Sequence, residues 1–240
     1  LKNTLKINSI YSKQIKRKNC KNCNTKLKSP IFTSFKVKYT VCEKCKHLNG
    51  MNNDVKKFVE FLYQHNKGQN YSKNYLNHFN TRVKNIYLPK VDFLKNVIKN
   101  KINLIDIGSG GGHFLKACEI RKIPAEGYEP NKTLVNLGKK KLKSNQIHNL
   151  DLESTYNKVF TSRANTLSLI GVLEHLDNPI KIIKLFNKSN LNYLYISVPL
   201  FSLSALIENS FKNIFPRQLS AGHTHLYTKE SLNYLAKKNG

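Results

Sequence analysis

The chain has 240 residues, a formal net charge of +27 and 40% hydrophobic residues. This length suits one typical domain with a small appendage, and the hydrophobic content excludes a disordered chain. No apolar stretch reaches the length of a membrane span, and residues 1–19 lack the apolar core of a signal peptide. We therefore expect a cytoplasmic protein with no membrane partner.

The positive charge comes mostly from lysine, since only five of the 41 basic residues are arginines. Sequence-specific contacts to nucleic acids favour the planar, forked guanidinium of arginine, which lysine lacks. The excess of lysine therefore indicates a compositional bias more than a dedicated nucleic-acid surface. A polyanion such as RNA stays open as an alternative partner.

Two cysteine pairs near the N-terminus have the spacing of a metal site. They are Cys20 with Cys23 and Cys42 with Cys45, and the stretch KSPIFTSFKVKYTVC before the second pair predicts short β-strands. Four thiolates at this spacing favour a closed, tetrahedral Zn²⁺ site that folds its segment and leaves no position open for catalysis. We predict a zinc-ribbon module over residues 1–50. His47 has no assigned role, although its place beside the ribbon would allow it to be a spare ligand.

Residues 51–100 show helical periodicity, which we expect to break at Pro89, and form a helical lead-in. From residue 101 short apolar strands alternate with helical segments, which is typical of a parallel α/β sheet with helices on both faces. We therefore take residues 101–240 as one α/β domain. The predicted strands are 102–107, 125–129, 146–150, 166–171 and 192–198.

The first of these strands ends in LIDIGSGGGHF, residues 104–114. Its glycines let the backbone approach a ligand closely. His113 stands where a dinucleotide fingerprint needs a small residue, and no Gly-Lys-Ser/Thr follows, so neither an NAD site nor a P-loop is favoured. Asp106 can accept hydrogen bonds from an ammonium group, and Glu129, at the end of the next strand, from ribose hydroxyls. An ammonium group and a ribose without phosphate describe S-adenosylmethionine.

Three segments, 104–112, 127–131 and 171–179, resemble the class I S-adenosylmethionine-dependent methyltransferases. The resemblance implies a Rossmann-like sheet, and it implies that the domain is C-terminally incomplete, because the final antiparallel strand pair of such sheets would follow residue 240. It also implies a set of cofactor-binding residues. These are Asp106, Gly108, Ser109 and Gly110 at the methionine part, Glu129 at the ribose, Asp151 near the adenine, Leu173 and Glu174 beside the methyl donor and substrate, and Tyr71 closing over the donor.

A four-cysteine module ahead of such a domain resembles the sugar C-methyltransferases, which act on nucleotide-linked deoxysugars. In those enzymes a histidine followed by an aromatic and a hydroxyl residue faces the substrate, and the segment AGHTHLYTKESLNYL (221–235) resembles that region. The resemblance gives His225 and Tyr227 roles toward the substrate, although Thr224 stands where the sugar enzymes tend to carry glutamate.

These resemblances imply methyl transfer to a sugar, a nucleotide-sugar or a related small molecule, for instance in polysaccharide biosynthesis. Histidine is a suitable base at neutral pH, so His225 is the first candidate and His175 the second. Two other functions stay open. One is an RNA methyltransferase that grips the nucleic-acid backbone with the zinc ribbon and the lysines, and the other is a non-catalytic zinc-ribbon binding protein.

Overall fold

The computed structural model describes residues 2–54, 77–143, 146–176, 178–211, 218–219 and 223–239. It divides into two compact units. The parallel-sheet unit comprises the described residues of Tyr63–Val172 and Leu185–Ser197, and the cysteine unit comprises those of Leu1–Leu62, Leu173–Lys184 and Val198–Gly240.

In chain order, the strands of the described residues are β1 (Phe32–Ser34), β2 (Val37–Val41), β3 (Leu48–Gly50), β4 (Leu104–Ile107), β5 (Ala125–Glu129), β6 (Ile147–Asn149), β7 (Thr166–Ile170), β8 (Tyr193–Ser197) and β9 (His225–Leu226). The α-helices are α1 (Lys2–Ser12), α2 (Phe79–Arg82), α3 (Leu88–Val97), α4 (His113–Ile120), α5 (Lys132–Lys141), α6 (Leu152–Thr161), α7 (Pro179–Lys188), α8 (Leu203–Ser210) and α9 (Lys229–Asn239). A π-helical turn (Val83–Tyr87) joins α2 to α3, and a 3₁₀ turn (Leu173–His175) follows β7.

Five strands of the parallel-sheet unit form a sheet in the order β6-β5-β4-β7-β8, and every pair is parallel. The five strands predicted from apolar runs are confirmed to within two residues at each end. The central strand β4 is buried along its whole length, as expected for a parallel strand covered on both faces. Because β4 and β5 lie side by side with Ile107 opposite Tyr128, the residues that follow both strands meet at one edge of the sheet, the edge where such sheets bind ligands.

The helical lead-in differs from the prediction at Pro89. The chain stays helical from Phe79 to Val97, because Pro89 lies in the first turn of α3, where a missing N–H breaks no intrahelical hydrogen bond. The irregularity appears instead as the π-helical turn just before it. These helices pack against the sheet through buried side chains that include Phe79, Val91 and Leu94.

The cysteine unit contains an antiparallel sheet in the order β1-β2-β3-β9. Strands β1 and β2 confirm the strands expected between the cysteine pairs. The fourth strand comes from far along the chain, since Leu226 pairs with Leu48 and His225 with Asn49. Helix α1 packs on this sheet with Ile7 and Tyr11 buried. None of the helices in the described ranges is long and apolar enough to cross a membrane.

Candidate functional site

The glycine turn after β4 is folded back onto β5. Gly108 and Ser109 donate backbone hydrogen bonds of 2.8 and 3.2 Å to the carbonyl of Tyr128. Gly108 and Gly110 have φ values of +70° and +55°, a region that favours glycine. A Cβ at Gly108 would lie 2.5 Å from Cγ2 of Val172, whereas a Cβ at Gly110 would meet no atom within 4 Å. Gly108 is thus required for packing, while Gly110 borders open space in which a ligand can approach the backbone.

Asp106 lies beneath this turn and is almost completely buried. Its Oδ1 accepts a 2.6 Å hydrogen bond from Oγ of Ser168, and Oγ of Ser109 donates to its backbone carbonyl at 2.9 Å. Burial raises the pKa of the Asp106 carboxyl to about 7, and the charge of Glu129 adds to the shift. Because removal from water disfavours the ionised form, this carboxyl favours a cationic ligand that would restore its charge.

Glu129 joins the glycine turn to the start of α5. Its Oε2 accepts a hydrogen bond from the backbone N–H of Gly110 and its Oε1 one from that of Asn131, both at 2.9 Å. Burial raises the pKa of this carboxyl while the two amides oppose the shift. Each carboxylate oxygen has a further lone pair, so Glu129 can hold the turn and still accept hydrogen bonds from ribose hydroxyls.

Sequence reasoning missed two residues that shape this site. Ser168 on β7 is the partner of the Asp106 carboxyl, and nothing in its local pattern indicates that role. A Cβ at Gly127 would lie 2.2 Å from Oγ of Ser109 and 2.5 Å from Cδ1 of Leu115. The signal for Gly127 was present, because in the strand AEGYE this glycine lies two residues before Glu129 and therefore on the same face of β5.

The other residues predicted to bind the cofactor are Asp151, Leu173, Glu174 and Tyr71. Asp151 caps α6, since its carboxylate accepts hydrogen bonds of 3.0 and 2.8 Å from the backbone N–H and the hydroxyl of Ser154. Leu173 and Glu174 are buried in the 3₁₀ turn, within the cysteine unit. Tyr71 lies outside the described residues.

The four predicted metal ligands come together in the cysteine unit. Sγ of Cys20 lies 3.6 Å from that of Cys45, Sγ of Cys23 lies 3.5 Å from that of Cys42, and all four lie within 4.8 Å of one another. A Zn²⁺ ion at about 2.3 Å from four sulfurs sets them roughly 3.8 Å apart. The cluster therefore fits a closed tetrahedral zinc site.

The two cysteine turns have the same backbone geometry, which explains why they converge. The N–H of Asn24 donates to the carbonyl of Cys20 at 2.9 Å, and the N–H of Lys46 donates to that of Cys42 at 2.8 Å. Asn24 and Lys46, each directly after the second cysteine of its pair, both have φ near +60°. The neighbouring Cys45 thiol and burial raise the pKa of Cys20, and a bound cation would favour its thiolate.

His225, the first candidate base, is buried on β9 and paired with His47. Nδ1 of His225 lies 3.0 Å from Nε2 of His47, so the expectation that His47 is a spare metal ligand is replaced by a histidine pair. Burial lowers the pKa of both rings well below the ordinary value, and both are neutral at physiological pH. Nε2 of His225, Nδ1 of His47 and the hydroxyl of Tyr227 are buried and have no hydrogen-bond partner among the described residues.

Thr224, the residue that departs from the sugar-enzyme pattern, contacts a carboxylate from elsewhere in the chain. Its hydroxyl donates to Oδ1 of Asp54, while Oδ2 of Asp54 pairs with Arg17 at 3.0 Å and Lys21 at 2.7 Å. Burial opposes the ionisation of Asp54, but the two cations hold its pKa below the ordinary value. A carboxylate held in this way anchors the segment before β9 and does not take up protons near neutral pH.

His175, the second candidate base, lies in the 3₁₀ turn beside Glu174. Its Nε2 is 3.9 Å from Oε1 of Glu174, and its ring stacks on that of His223 at a centroid distance of 5.2 Å. Burial raises the pKa of Glu174 to about 7. The sequence suggested no role for His223.

Comparison with known proteins identifies relatives of this arrangement. A family model for a methyltransferase domain matches residues 79–240. A SAM-dependent methyltransferase from Archaeoglobus fulgidus is 19% identical with a TM-score of 0.51; the match covers 64% of this chain and 66% of that one, just under two thirds. No curated protein sequence matches the chain.

Two further solved structures contain SAH. The plantazolicin methyltransferase BpumL is 15% identical with a TM-score of 0.53, and the match covers 75% of this chain and 74% of that one. The magnesium protoporphyrin IX methyltransferase ChlM from Synechocystis PCC 6803 is 14% identical with a TM-score of 0.54, and the match covers 78% of this chain and 89% of that one. At these identities the likeness concerns the fold.

Proposed function

We propose that the chain, which belongs to the methyltransferase domain family, is an S-adenosylmethionine-dependent methyltransferase that methylates a sugar or nucleotide-sugar. The cofactor would lie at the edge of the parallel sheet. Asp106 would bind its ammonium group, the open space beside Gly110 would take its methionine part, and Glu129 would bind the ribose. This assignment is supported by the buried carboxyl of Asp106, whose pKa burial raises to about 7, and by the empty space where a Gly110 side chain would be.

The observation that carries the choice of acceptor is the pair of unsatisfied polar atoms at His225 and Tyr227. Nε2 of His225 and the hydroxyl of Tyr227 are both buried and unpartnered in the described part of the chain. A buried polar atom without a partner costs about 1–3 kcal/mol, and we infer that the acceptor supplies hydrogen bonds to these two atoms. The hydroxyl groups of a sugar both donate and accept, which matches a histidine nitrogen next to a phenol.

His225 would act as the base, and His47 would set its tautomer. When Nδ1 of His225 carries the proton and donates it to Nε2 of His47, Nε2 of His225 has a free lone pair. The bound cofactor supplies an electrophilic methyl group on a sulfonium. Nε2 of His225 would accept the proton that the acceptor loses on methylation. His175 remains the second candidate for this role.

The four cysteines would hold a structural Zn²⁺ ion. Their number, their spacing and the distances between their sulfurs support this assignment. A site closed by four thiolates has no free coordination position, so the ion would stabilise the cysteine unit and take no part in methyl transfer.

The test is transfer of a radiolabelled methyl group from S-adenosylmethionine to a panel of nucleotide-sugars by zinc-loaded protein. We expect label in at least one sugar, and a kcat reduced about 10²- to 10⁴-fold in His225→Gln, with SAH affinity unchanged. His78→Gln is the matched control, because His78 lies outside both the sheet edge and the histidine pair, and it should retain full activity. Label in single-stranded RNA and in no sugar would overturn the choice of acceptor.

A further inference from the structure

Three side chains of the cysteine unit form a second group of possible metal ligands, which we call the Glu–His–His cluster: Glu174, His175 and His223. One ligand atom from each lies within 4.8 Å of the other two. Oε1 of Glu174 lies 3.9 Å from Nε2 of His175. Two imidazoles and one carboxylate are a ligand set that holds divalent transition ions while leaving coordination positions open.

The ligand nitrogen of His223 is fixed by its other ring nitrogen. Nδ1 of His223 lies 2.8 Å from the backbone carbonyl of Gln218. Since a carbonyl only accepts, Nδ1 carries the hydrogen, and Nε2 of the neutral ring has the free lone pair. Metal-binding histidines commonly donate their second N–H to a backbone carbonyl in this way, which sets both tautomer and ring orientation.

The carbonyl that orients His223 is itself held in place. Glu208 on α8 accepts a hydrogen bond of 2.7 Å from the N–H of Gln218 and one of 3.0 Å from that of Leu219. Both oxygens of this carboxylate are thus used to fix the backbone that meets His223. The imidazole is supported by a chain of defined contacts, as expected of a ligand that must keep its direction before the ion arrives.

Glu174 gives a second, independent indication of a ligand. Its side chain is only 2% exposed, and its Oε2 has no hydrogen-bond partner among the described residues. A buried carboxylate is costly unless it is paired or binds a metal. The unsatisfied oxygen belongs to the same side chain that lies against His175, so a cation bound there would satisfy it.

From these contacts we propose that Glu174, His175 and His223 bind one divalent transition ion, at a site separate from the four cysteines. Imidazole ligands favour Zn²⁺, Fe²⁺, Ni²⁺ or Cu²⁺ over Mg²⁺, Ca²⁺ and Mn²⁺. An ion about 2.1 Å from each atom sets the ligands roughly 3.0–3.5 Å apart, so small side-chain rotations close the cluster. His175 is then a ligand, which leaves His225 as the base. The open coordination positions suit an acceptor oxygen, a role that rests on the proposed function.

The experiment uses Co²⁺ as a spectroscopic probe of the full chain after the cysteine site has been filled with zinc. We expect one further equivalent of Co²⁺ to bind, with visible absorption of a nitrogen–oxygen site and no sulfur-to-cobalt charge-transfer band. In His223→Gln and in Glu174→Gln the Co²⁺ affinity should fall at least tenfold. His78→Gln, the same type of change outside the cluster, should bind Co²⁺ as the wild type does.

Two results would overturn the proposal: no second equivalent bound by the wild type, or unchanged Co²⁺ affinity in His223→Gln. Folding is checked by thermal melting, and His223 is only partly buried, so its variant remains informative if Glu174→Gln does not fold. The titration contains neither methyl donor nor acceptor. Its outcome is therefore independent of the nucleotide-sugar assay, and the two proposals can fail separately.

Discussion

Two carboxyl groups, Asp106 and Glu129, dominate the chemistry at the edge of the parallel sheet. Burial raises the pKa of both, and neither forms an ion pair with a described residue. Glu129 is satisfied by two backbone amides, whereas Asp106 relies on the hydroxyl of Ser168. Asp106 is therefore the group whose charge depends most on a cationic ligand.

The pKa of Asp106 predicts how cofactor affinity changes with pH. The carboxyl is ionised above its pKa of about 7, and only the ionised form pairs with an ammonium group. SAH, measured by calorimetry, should therefore bind about tenfold more tightly at pH 8 than at pH 6. In Asp106→Asn this pH dependence should disappear, with affinity at pH 8 no higher than the wild-type value at pH 6. An equally steep dependence in the variant would assign the titration to another group.

Replacing Gly110 should weaken SAH binding without preventing the protein from folding. In Gly110→Ala the positive φ costs about 1–2 kcal/mol of stability, and the new methyl group enters the space assigned to the ligand. We expect a folded protein whose SAH affinity is at least tenfold lower. Gly111→Ala is the matched control, since that Cβ would make ordinary contact with His113 at 3.4 Å. Unchanged SAH affinity in Gly110→Ala would place the cofactor elsewhere.

At the scale of elements, the sequence predicts what depends on local pattern. Apolar runs locate the five parallel strands. The glycine turn indicates the proposed cofactor site and the cysteine spacing indicates the proposed zinc site, because each signal is contained within a few residues. The pairing of β3 with β9 joins residues 48–49 to 225–226, and periodicity does not report such partners. The contact between His47 and His225 depends on that pairing. The sequence alone therefore shows His47 only as a neighbour of the cysteines.

The cysteine turns predict that one metal ion holds the cysteine unit together. Replacing Cys45 with serine removes a ligand, so zinc content should fall by about one equivalent per chain and the melting temperature should drop, since binding energy at such sites is folding energy. Cys118→Ala is the control, because Cys118 is buried in α4, in the other unit. Elemental analysis of the zinc content of both variants and the wild type tests this prediction. The same zinc content in Cys45→Ser as in the wild type would exclude the four-cysteine site.

At the scale of the whole molecule, the methyltransferase match and the cysteines occupy different parts of the chain. The match begins at residue 79, so the four cysteines of the proposed zinc site precede it. Yet the cysteine unit also includes Glu174, His225 and Tyr227, which lie within the match. The residues that we propose for the acceptor thus share a unit with the four proposed metal ligands.

The net charge of +27 yields a prediction about nucleic acid. If the lysines are a compositional bias, RNA should bind only non-specifically, with a Kd of about 10⁻⁴ to 10⁻⁶ M at physiological salt. The logarithm of the association constant should fall linearly with the logarithm of the salt concentration. Unrelated RNA sequences should bind equally in a filter-binding assay. Sequence-selective binding with a Kd well below this range would instead favour an RNA acceptor.

The most direct test of the cofactor site is calorimetric titration of zinc-loaded protein with S-adenosylmethionine, beside Asp106→Asn and Glu129→Gln. We predict one site with a Kd on the order of micromolar, about −8 kcal/mol, in the wild type. Binding should be at least tenfold weaker in each variant, with the variants folded by thermal melting. No binding to folded wild-type protein, or equal affinity in all three proteins, would contradict the site assigned to the edge of the parallel sheet.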